Sequence, residues 1–337
     1  MPSGEPLLGI VYEHPQWFAP LFAQLEDHGL PYDRVDVAAH RFDPAEDAVP
    51  WTVVLNRMSP SAYLRGHGRA IAYTRELLRH LEEAGVDVIN GSRAFALETS
   101  KAAQLGLLRA LGLRAPRSRV INDAAQAPEA AEGLTFPVAV KPNIGGSGAG
   151  IQRFDSPDAL RAAAGTGTID LGVEGVALVQ EFLPARDGHI TRVEVLDGRF
   201  LYAIAIYLDP AAGFNLCPAD ICQTGPLAPS APVPAADLCP ADLPKTALRI
   251  EAVTPPPQVV GDVLAIAAAG GLDLAGVEYL VNDRDGEVYY YDVNALSNFV
   301  TDAVRIVGFD PYAALAEYLA ARGRLRTRGV TAATPRV

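Results

Sequence analysis

The sequence predicts a mixed α/β protein in which a small parallel α/β domain precedes a larger α+β part. Over residues 1–95, short apolar runs alternate with helix-spaced apolar residues, as in a parallel sheet covered by helices. Further along, two pairs of apolar runs enclose turn residues at Asp197-Gly198 and 283–286, which is typical of antiparallel hairpins. The length of 337 residues also favours two or three subdomains over one.

In the N-terminal part, we expect strands over residues 7–12, 32–37, 51–55 and 86–89, and helices over residues 17–26 and 71–81. Gly29 and Gly85 are placed where glycine commonly ends a helix. Ligands of such sheets bind beyond the carboxyl ends of the strands, which here carry Tyr12-Glu13-His14 and Asn56-Arg57. These residues are candidates for a ligand site, or else ordinary polar loop residues.

The rest of the chain predicts helices over residues 99–111, 123–133, 157–164, 258–269 and 311–321, and strands over residues 117–121, 136–140, 176–180, 190–196, 200–207, 272–282 and 287–294. Thr99 or Ser100 caps the first of these helices, and a strand resumes at Ile151. Residues 209–257, rich in proline, are too long for an ordinary connection. They form either an elaborated substrate loop or a partly mobile insert.

Composition excludes several classes of function. The formal net charge of −12 disfavours nucleic-acid and anionic-membrane partners. The basic run at residues 322–328 is expected to be a solvated, frayed tail. Three cysteines without a CxxC pair or ligand-spaced histidines disfavour a disulfide framework and a zinc site. No signal peptide or membrane-spanning stretch is evident, so we expect a cytoplasmic protein, as a monomer or a homo-oligomer.

A glycine-rich turn after a buried strand is the first candidate site. Lys141 closes the strand at residues 136–140, and the turn that follows contains Gly145, Gly146, Ser147, Gly148 and Gly150. Glycine lets backbone N–H groups approach phosphate oxygens, and a lysine ammonium supplies a compact positive charge. Of the 28 basic residues only three are lysine, which supports a specific need for this one. The alternative is a mobile turn without a ligand.

Three oxygen-bearing side chains form the second candidate site. Asp292 and Asn294 are two residues apart on one predicted strand and therefore share a face, while Val293 faces the other side. Glu278 lies across the predicted hairpin. Oxygen ligands suit Mg²⁺, which takes its remaining ligands from water and nucleotide phosphates. A polar solvent face is the alternative, although the run at 288–293 is too apolar for an exposed strand.

Two further features are weaker. Lys101 lies in the first turn of a predicted helix, where a cation is unfavourable unless an anion is near. The strand at 176–180 runs directly into Glu181-Phe182-Leu183-Pro184, which could offer edge backbone groups to a purine or could be a plain hinge.

The order of these features resembles the ATP-grasp superfamily, in particular the RimK-like carboxylate–amine ligases. The resemblance spans residues 90–321 and is carried by TSKAAQLGLLRALGLRAPRS, FPVAVKPNIGGSGAGI, LVQEFL, ITRVEVLDGRFLYAIA and AGVEYLVND…YYYDVNAL. It implies an ATP-grasp fold behind an N-terminal domain at residues 1–95. A lid subdomain would occupy residues 96–183, a magnesium-binding subdomain residues 184–325, and a tail residues 326–337.

The resemblance also implies roles for single residues. The implied ATP-binding residues are Lys101, Lys141, Gly145, Gly146, Ser147, Gly148, Gln180, Glu181, Phe182 and Leu183, with Asp187 or His189 at the ribose. Two Mg²⁺ ions, replaceable by Mn²⁺, would be held by Glu278, Asp292 and Asn294. Arg192, Lys141 and Asn215 would act on the reacting groups.

The implied reaction joins a small-molecule or peptide carboxylate to an amine through an acyl phosphate, releasing ADP and phosphate. Two alternatives are a kinase that phosphorylates a small molecule and a nucleotide-binding scaffold without turnover. The chain departs from the family near the substrates. It reads NLCPAD after Phe214, and Ala295-Leu296-Ser297-Asn298 where the relatives have Ser-Pro-Gly. Glutamate therefore cannot be carried over as the added amino acid.

Overall fold

The computed structural model describes residues 8–46, 48–146, 148–208 and 249–332, with side chains up to Arg324. Ser147, Asn215 and most of the proline-rich segment at 209–257 lie outside the described residues. The predictions that fall on them therefore stay predictions.

The N-terminal domain is a parallel sheet covered by helices, as the alternation of its sequence predicts. Its strands run in the order β2-β1-β3-β4. The strands are β1 (Leu8–Tyr12), β2 (Tyr32–Asp36), β3 (Val53–Asn56) and β4 (Asp87–Ile89), and the helices are α1 (Ala19–Asp27) and α2 (Gly68–Glu83). Leu77, Leu78 and Leu81 of α2 are fully buried against the sheet, because they recur at helical spacing on one face.

Two helices lead from this domain into a second, antiparallel sheet. They are α3 (Ser92–Glu98) and α4 (Lys101–Ala110). The strands of the second sheet have the order β5-β8-β6-β7. The strands are β5 (Ser118–Ile121), β6 (Val138–Pro142), β7 (Gln152–Phe154) and β8 (Ala177–Glu181), covered by the helices α5 (Ala127–Ala130) and α6 (Pro157–Thr166).

The third sheet is also antiparallel and carries five strands in the order β11-β10-β9-β12-β13. The strands are β9 (His189–Leu196), β10 (Arg199–Tyr207), β11 (Ile250–Ala252), β12 (Leu274–Val281) and β13 (Val288–Asn294), and the helices are α7 (Pro257–Gly270), α8 (Ala303–Val307) and α9 (Pro311–Ala332). Asp197 takes a positive φ of 54° in the β9–β10 turn, as the Asp-Gly signal requires.

Several local predictions differ from the structure. The predicted helix at 123–133 is a 3₁₀ turn, Ala124–Gln126, followed by only one turn of α-helix, because Pro128 supplies no N–H and Gly133 ends the segment. Helices α3 and α8 and strand β11 were not predicted, since each is shorter than eight residues and shows no clear period. Among the described helices, none combines the length and apolar character that crossing a membrane requires.

The expectation of a frayed basic tail is wrong for Arg322. Helix α9 continues to Ala332, and Arg322 donates to both carboxylate oxygens of Asp87 at 2.7 and 3.0 Å. It also lies 3.4 Å from Asp273, which directly precedes β12 of the third sheet. Arg322 therefore joins the C-terminal helix to the N-terminal domain and to the third sheet at once.

We expect Arg322→Ala to lower the free energy of unfolding by about 1 kcal/mol, because the partly exposed bidentate pair with Asp87 is lost. Arg305→Ala is the matched control, since its ion pair with Asp302 is mostly exposed, and it should change stability by less than about 0.5 kcal/mol. Urea unfolding of both variants measures the difference, and equal effects would contradict the assigned role of Arg322.

Candidate active site

A cleft of about 620 Å³ lies where the three sheets meet. Its lining includes Trp17 and Ser59–Ser61 of the N-terminal domain, Lys141 of the second sheet with Gly145, Gly146 and Gly148 of the turn after it, and Glu278 of the third sheet. The residues to which the resemblance assigns a role, as far as the structure describes them, line this cleft except Asp187 and His189. The strand-end candidates Tyr12-Glu13-His14 and Asn56-Arg57, and Gly150 of the turn, are not among its lining residues. Residues from four separate stretches of the sequence thus come together.

Lys141 lies at the end of β6, and its side chain is buried in the cleft wall. Burial, with repulsion from Lys101, lowers the pKa of the Lys141 ammonium to about 8. The turn after it needs glycine for physical reasons. Gly150 has a φ of +72°, and a side chain there would overlap Pro142. A Cβ on Gly146 would lie 3.4 Å from Cβ of Ser61, so the turn packs closely against the N-terminal domain.

Lys101 opens helix α4, and Ser100 caps that helix by accepting a hydrogen bond from Ala103 N. Asn143 joins the helix to the second sheet, since its Oδ1 accepts from Ala102 N at 2.9 Å. The Lys101 ammonium lies 3.3 Å from Oδ1 of Asp292. The unfavourable position of a cation at a helix N-terminus is therefore offset by a carboxylate from the third sheet.

Arg192, Glu278 and Asp292 form a row across three neighbouring strands. Arg192 pairs with Glu278 between β9 and β12, and Glu278 pairs with Asp292 between β12 and β13. Asn294 lies two residues further along β13 and donates to Oδ2 of Asp292 at 3.2 Å. A β-bulge follows Glu278, where Tyr291 is the extra residue, and such bulges re-aim neighbouring side chains.

The charges of this row are unequal. Burial, with repulsion from Asp292, raises the pKa of Glu278. Burial would also raise the pKa of Asp292, but Lys101 and Lys141 lower it below its ordinary value. Glu278 is therefore shifted toward its neutral form, whereas the two lysines keep Asp292 ionised. A cation bound between these neighbouring carboxylates would stabilise the negative charge of both. Among the described residues no three His, Cys, Asp or Glu side chains converge, so a metal here would need the Asn294 amide and ligand oxygens as well.

Arg192 is buried and held on three sides. Its Nη1 donates to Glu278 at 2.9 Å, its Nε to Glu194 at 2.6 Å, and its Nη2 to the Ser297 hydroxyl at 3.0 Å. The guanidinium lies flat on Gly276, where a Cβ would be only 2.7 Å from Cζ. The glycine two residues before Glu278 is thus what leaves room for the arginine.

The hinge side chains are turned partly away from the cleft. Gln180 donates to the Ser118 hydroxyl at 2.8 Å, and the Glu181 carboxylate accepts from Thr135 N at 2.8 Å. The backbone N–H groups of Glu181 and Phe182 bond to Arg117 O and Pro137 O. None of these bonds involves the backbone of Leu183, which was also predicted to contact the adenine. Arg153 of β7 stacks on the Phe182 ring at 4.8 Å.

Asp187 and His189 are not among the residues that line the cleft. Asp187 lies in the turn Arg186–Gly188 with a φ of 57°, and the His189 ring packs on Tyr207. His189 lies outside the cleft because side chains alternate between the two faces of a strand. Ile190 and Arg192 face the cleft, so position 189 faces away from it.

Several cleft residues were not predicted, among them Trp17, Ser59, Ser61, Glu98 and Tyr291. Ser59 and Ser61 follow β3, whose carboxyl end at Asn56-Arg57 was recognised as a candidate ligand edge. Arg57 itself is fully buried and donates to Ser297 O at 2.6 Å. Glu98 gave no signal, because a glutamate ending a short helix resembles a surface residue. Burial raises the pKa of Glu98 to about 7.

Comparison with solved structures assigns the fold. The ATP-grasp ligase PsnB, solved with a minimal precursor, matches with a TM-score of 0.65 at 20% identity, over 94% of this chain and 99% of that one. D-cycloserine synthetase DcsG matches with a TM-score of 0.64 at 18% identity, over 94% and 99%. A RimK domain protein from Sphaerobacter thermophilus matches with a TM-score of 0.64 at 19% identity, over 92% and 98%.

No protein-family model and no curated protein sequence matches the chain. The structural similarity is nevertheless over nearly full length on both sides, so the three sheets are those of the ATP-grasp fold. The fold predicted from the order of the motifs is confirmed.

We expect Gly276→Ala to lower the free energy of unfolding by about 2 kcal/mol, because the added methyl group overlaps the buried Arg192 guanidinium. Gly261→Ala is the matched control. Gly261 lies within helix α7 with open space where its Cβ would be, so alanine there should raise stability by about 0.5–1 kcal/mol. Denaturant unfolding distinguishes the two, and a neutral Gly276→Ala would contradict the packing described.

Proposed function

We propose that this protein is an ATP-dependent carboxylate–amine ligase that forms an amide or peptide bond through an acyl phosphate and releases ADP and phosphate. The observation that carries the proposal is the row Arg192, Glu278 and Asp292, which lies in one cleft with Lys101 and Lys141. Phosphoryl transfer needs mainly positioning and neutralisation of charge, and these residues supply both.

Glu278, Asp292 and Asn294 are proposed to hold Mg²⁺. The fully loaded site would contain two such ions, and Mn²⁺ can replace them. Their donor set fits, because all three offer oxygen atoms to one side of β12 and β13. When bound, the metal neutralises the charge that develops on the phosphates. PsnB has been solved with Mg and ADP, which supports the binding of magnesium and an adenine nucleotide by this chain as well.

Lys101, Lys141 and the glycine turn are proposed to bind the phosphates of ATP, and the hinge Gln180–Leu183 is proposed to bind the adenine. Gln180 and Glu181 would act there by shaping the adenine pocket, since their side chains and the Glu181 N–H bond elsewhere, and the backbone of Leu183 would make the contact. Asp187 or His189 could reach the ribose only if that part of the chain moves. Ser147 and Asn215 keep their predicted roles at the phosphates.

Arg192 is proposed to steady the acyl phosphate. Its guanidinium cannot turn freely, because each of its three nitrogens donates a hydrogen bond, to Glu194, Glu278 and Ser297. The carboxylate substrate would approach from the N-terminal domain, residues 1–95, where Trp17, Ser59 and Ser61 line the cleft. The glycine turn of the lid, residues 96–183, packs on the same segment and would keep water from the acyl phosphate. The magnesium site would belong to residues 184–325.

The substrates are a carboxylate and an amine acceptor, either of which can be a small molecule or part of a peptide. PsnB is described with a precursor peptide, so a peptide carboxylate deserves the first trial.

The reaction is tested by measuring ADP release in Mg²⁺ and ATP against mixed carboxylic acids and amines. Hydroxylamine added with a productive carboxylate should trap the acyl phosphate as a hydroxamate. Asp292→Asn should reduce the rate at least about 100-fold, since it removes a charge from the phosphate site. Glu287→Gln is the control, because Glu287 belongs to the same hairpin and pairs with Arg114 at the surface.

A phosphorylated acceptor without hydroxamate would replace the ligase by a kinase. ATP binding without acceptor-dependent ADP release would leave only a nucleotide-binding scaffold.

Lys141 gives a pH test of ATP binding. Its pKa in the free protein is about 8, and a bound triphosphate should raise it. Between pH 8 and 9.5, binding should therefore take up a proton, and the affinity should fall as pH rises through this range; below pH 7 neither effect is expected. Calorimetry in two buffers of different ionisation enthalpy measures the uptake. Lys141→Arg should abolish it, since arginine stays charged, and persistent uptake in that variant would exclude Lys141 as its source.

A further inference from the structure

Strand β13, which carries two of the proposed metal ligands, is an edge strand among the described residues. The outward backbone groups of an edge strand have no neighbouring strand and need other partners. In this protein the backbone carbonyl of Arg114 accepts from Tyr290 N, and side chains supply the partners at the carboxyl end of the strand. We name Asn90, Glu98 and Gln104 the edge clamp, since each bonds the backbone at or just after the outer side of β13.

Gln104 makes the most complete contact of the edge clamp. Its Oε1 accepts from Val293 N at 3.1 Å, and its Nε2 donates to Val293 O at 2.9 Å and to Leu97 O at 2.9 Å. The carboxamide thus bonds both backbone groups of Val293, as an adjacent strand would. Gln104 is 3% exposed and does not line the cleft, so it has no direct access to a bound nucleotide.

The other two members hold the residues that follow. Glu98 accepts from the backbone N–H groups of Ala295 and Leu296. Asn90 donates to Ala295 O at 2.7 Å. The clamp therefore spans the segment from Val293 to Leu296, which begins between the two ligands and ends in the loop beyond them.

The hydrogen bonds of Gln104 with Val293 affect the metal ligands because Val293 lies between them. Asp292 and Asn294 flank Val293, and the side chain of Val293 is buried in the core on the opposite face. Fixing both backbone groups of Val293 fixes the direction in which its two neighbours project. Lys101, one helical turn before Gln104, bonds Asp292 itself. One face of α4 thus provides both a charge for Asp292 and a support for its backbone.

We propose that Gln104 is a positioning residue for the metal ligands Asp292 and Asn294. It sets their geometry through Val293, without touching metal or nucleotide, and this rests on the proposed function. Groups that orient metal ligands usually contribute 10- to 100-fold to metal affinity. A role in edge protection alone would lower stability and leave metal affinity unchanged.

The test measures Mn²⁺ binding to the full-length protein in the presence of ADP, by electron paramagnetic resonance, and ADP binding without metal, by calorimetry. Gln104→Met keeps the length of the side chain and removes all three hydrogen bonds. We expect it to weaken Mn²⁺ binding at least about tenfold and to leave metal-free ADP binding within about twofold. Gln104→Asn keeps an uncharged carboxamide on a shorter side chain, so its loss should be smaller, and it serves if Gln104→Met fails to fold.

Tyr290→Phe is the matched control. Tyr290 lies on the same strand with its side chain in the core and donates a hydrogen bond to Asp262, away from the cleft. The variant should lose stability without losing Mn²⁺ affinity. If Gln104→Met and Gln104→Asn bind Mn²⁺ as the wild type does, the positioning role is overturned.

The proposed function fails differently. If the wild-type protein with ADP binds no Mn²⁺, or if Asp292→Asn binds it equally well, the metal site itself is wrong, whatever the Gln104 variants show.

Discussion

Buried charges of opposite sign pair with one another at the bottom of the cleft, where burying any one of them alone would cost free energy. Lys101 and Lys141 face Asp292, and Arg192 faces Glu194 and Glu278. Each of these groups is at least largely removed from water, so each needs an opposite charge beside it. The carboxylates come from the third sheet, the lysines from the second sheet and the helix before it. The parts of the chain are thus joined by an electrostatic requirement as well as by their apolar cores.

The register of the third sheet determines whether this balance can form. Arg192, Glu278 and Asp292 are far apart in sequence and adjacent across three strands. A shift of one residue in either pairing would turn one member to the opposite face. Gly276 leaves space for the guanidinium, and the edge clamp holds the outer strand. Local backbone features therefore fix the distances on which the charges depend.

The alternation of strands and helices predicted the parallel N-terminal sheet, and the hairpin turns predicted that Glu278 and Asp292 lie on paired strands, because those signals are local. The ATP-grasp fold was predicted from the order of the motifs. The sequence did not predict Glu98 or Gln104, and it indicated Arg57 only as a candidate ligand residue, since the roles of all three depend on which backbone they meet after folding. It misplaced Arg322, whose partners Asp87 and Asp273 are distant in sequence. The ribose candidates Asp187 and His189 were chosen by their distance along the chain from the hinge, and the face of β9 decided otherwise for His189.

The central claim is that these charges form one binding site for a metal-bound nucleotide. A crystal structure with Mn²⁺ and ADP tests it most directly, through the anomalous signal of the metal. The account requires manganese bonded to Glu278 and Asp292, with the phosphates of ADP beside Lys101 and Lys141. Manganese at another cluster of the protein, or ADP bound outside this cleft, would contradict it.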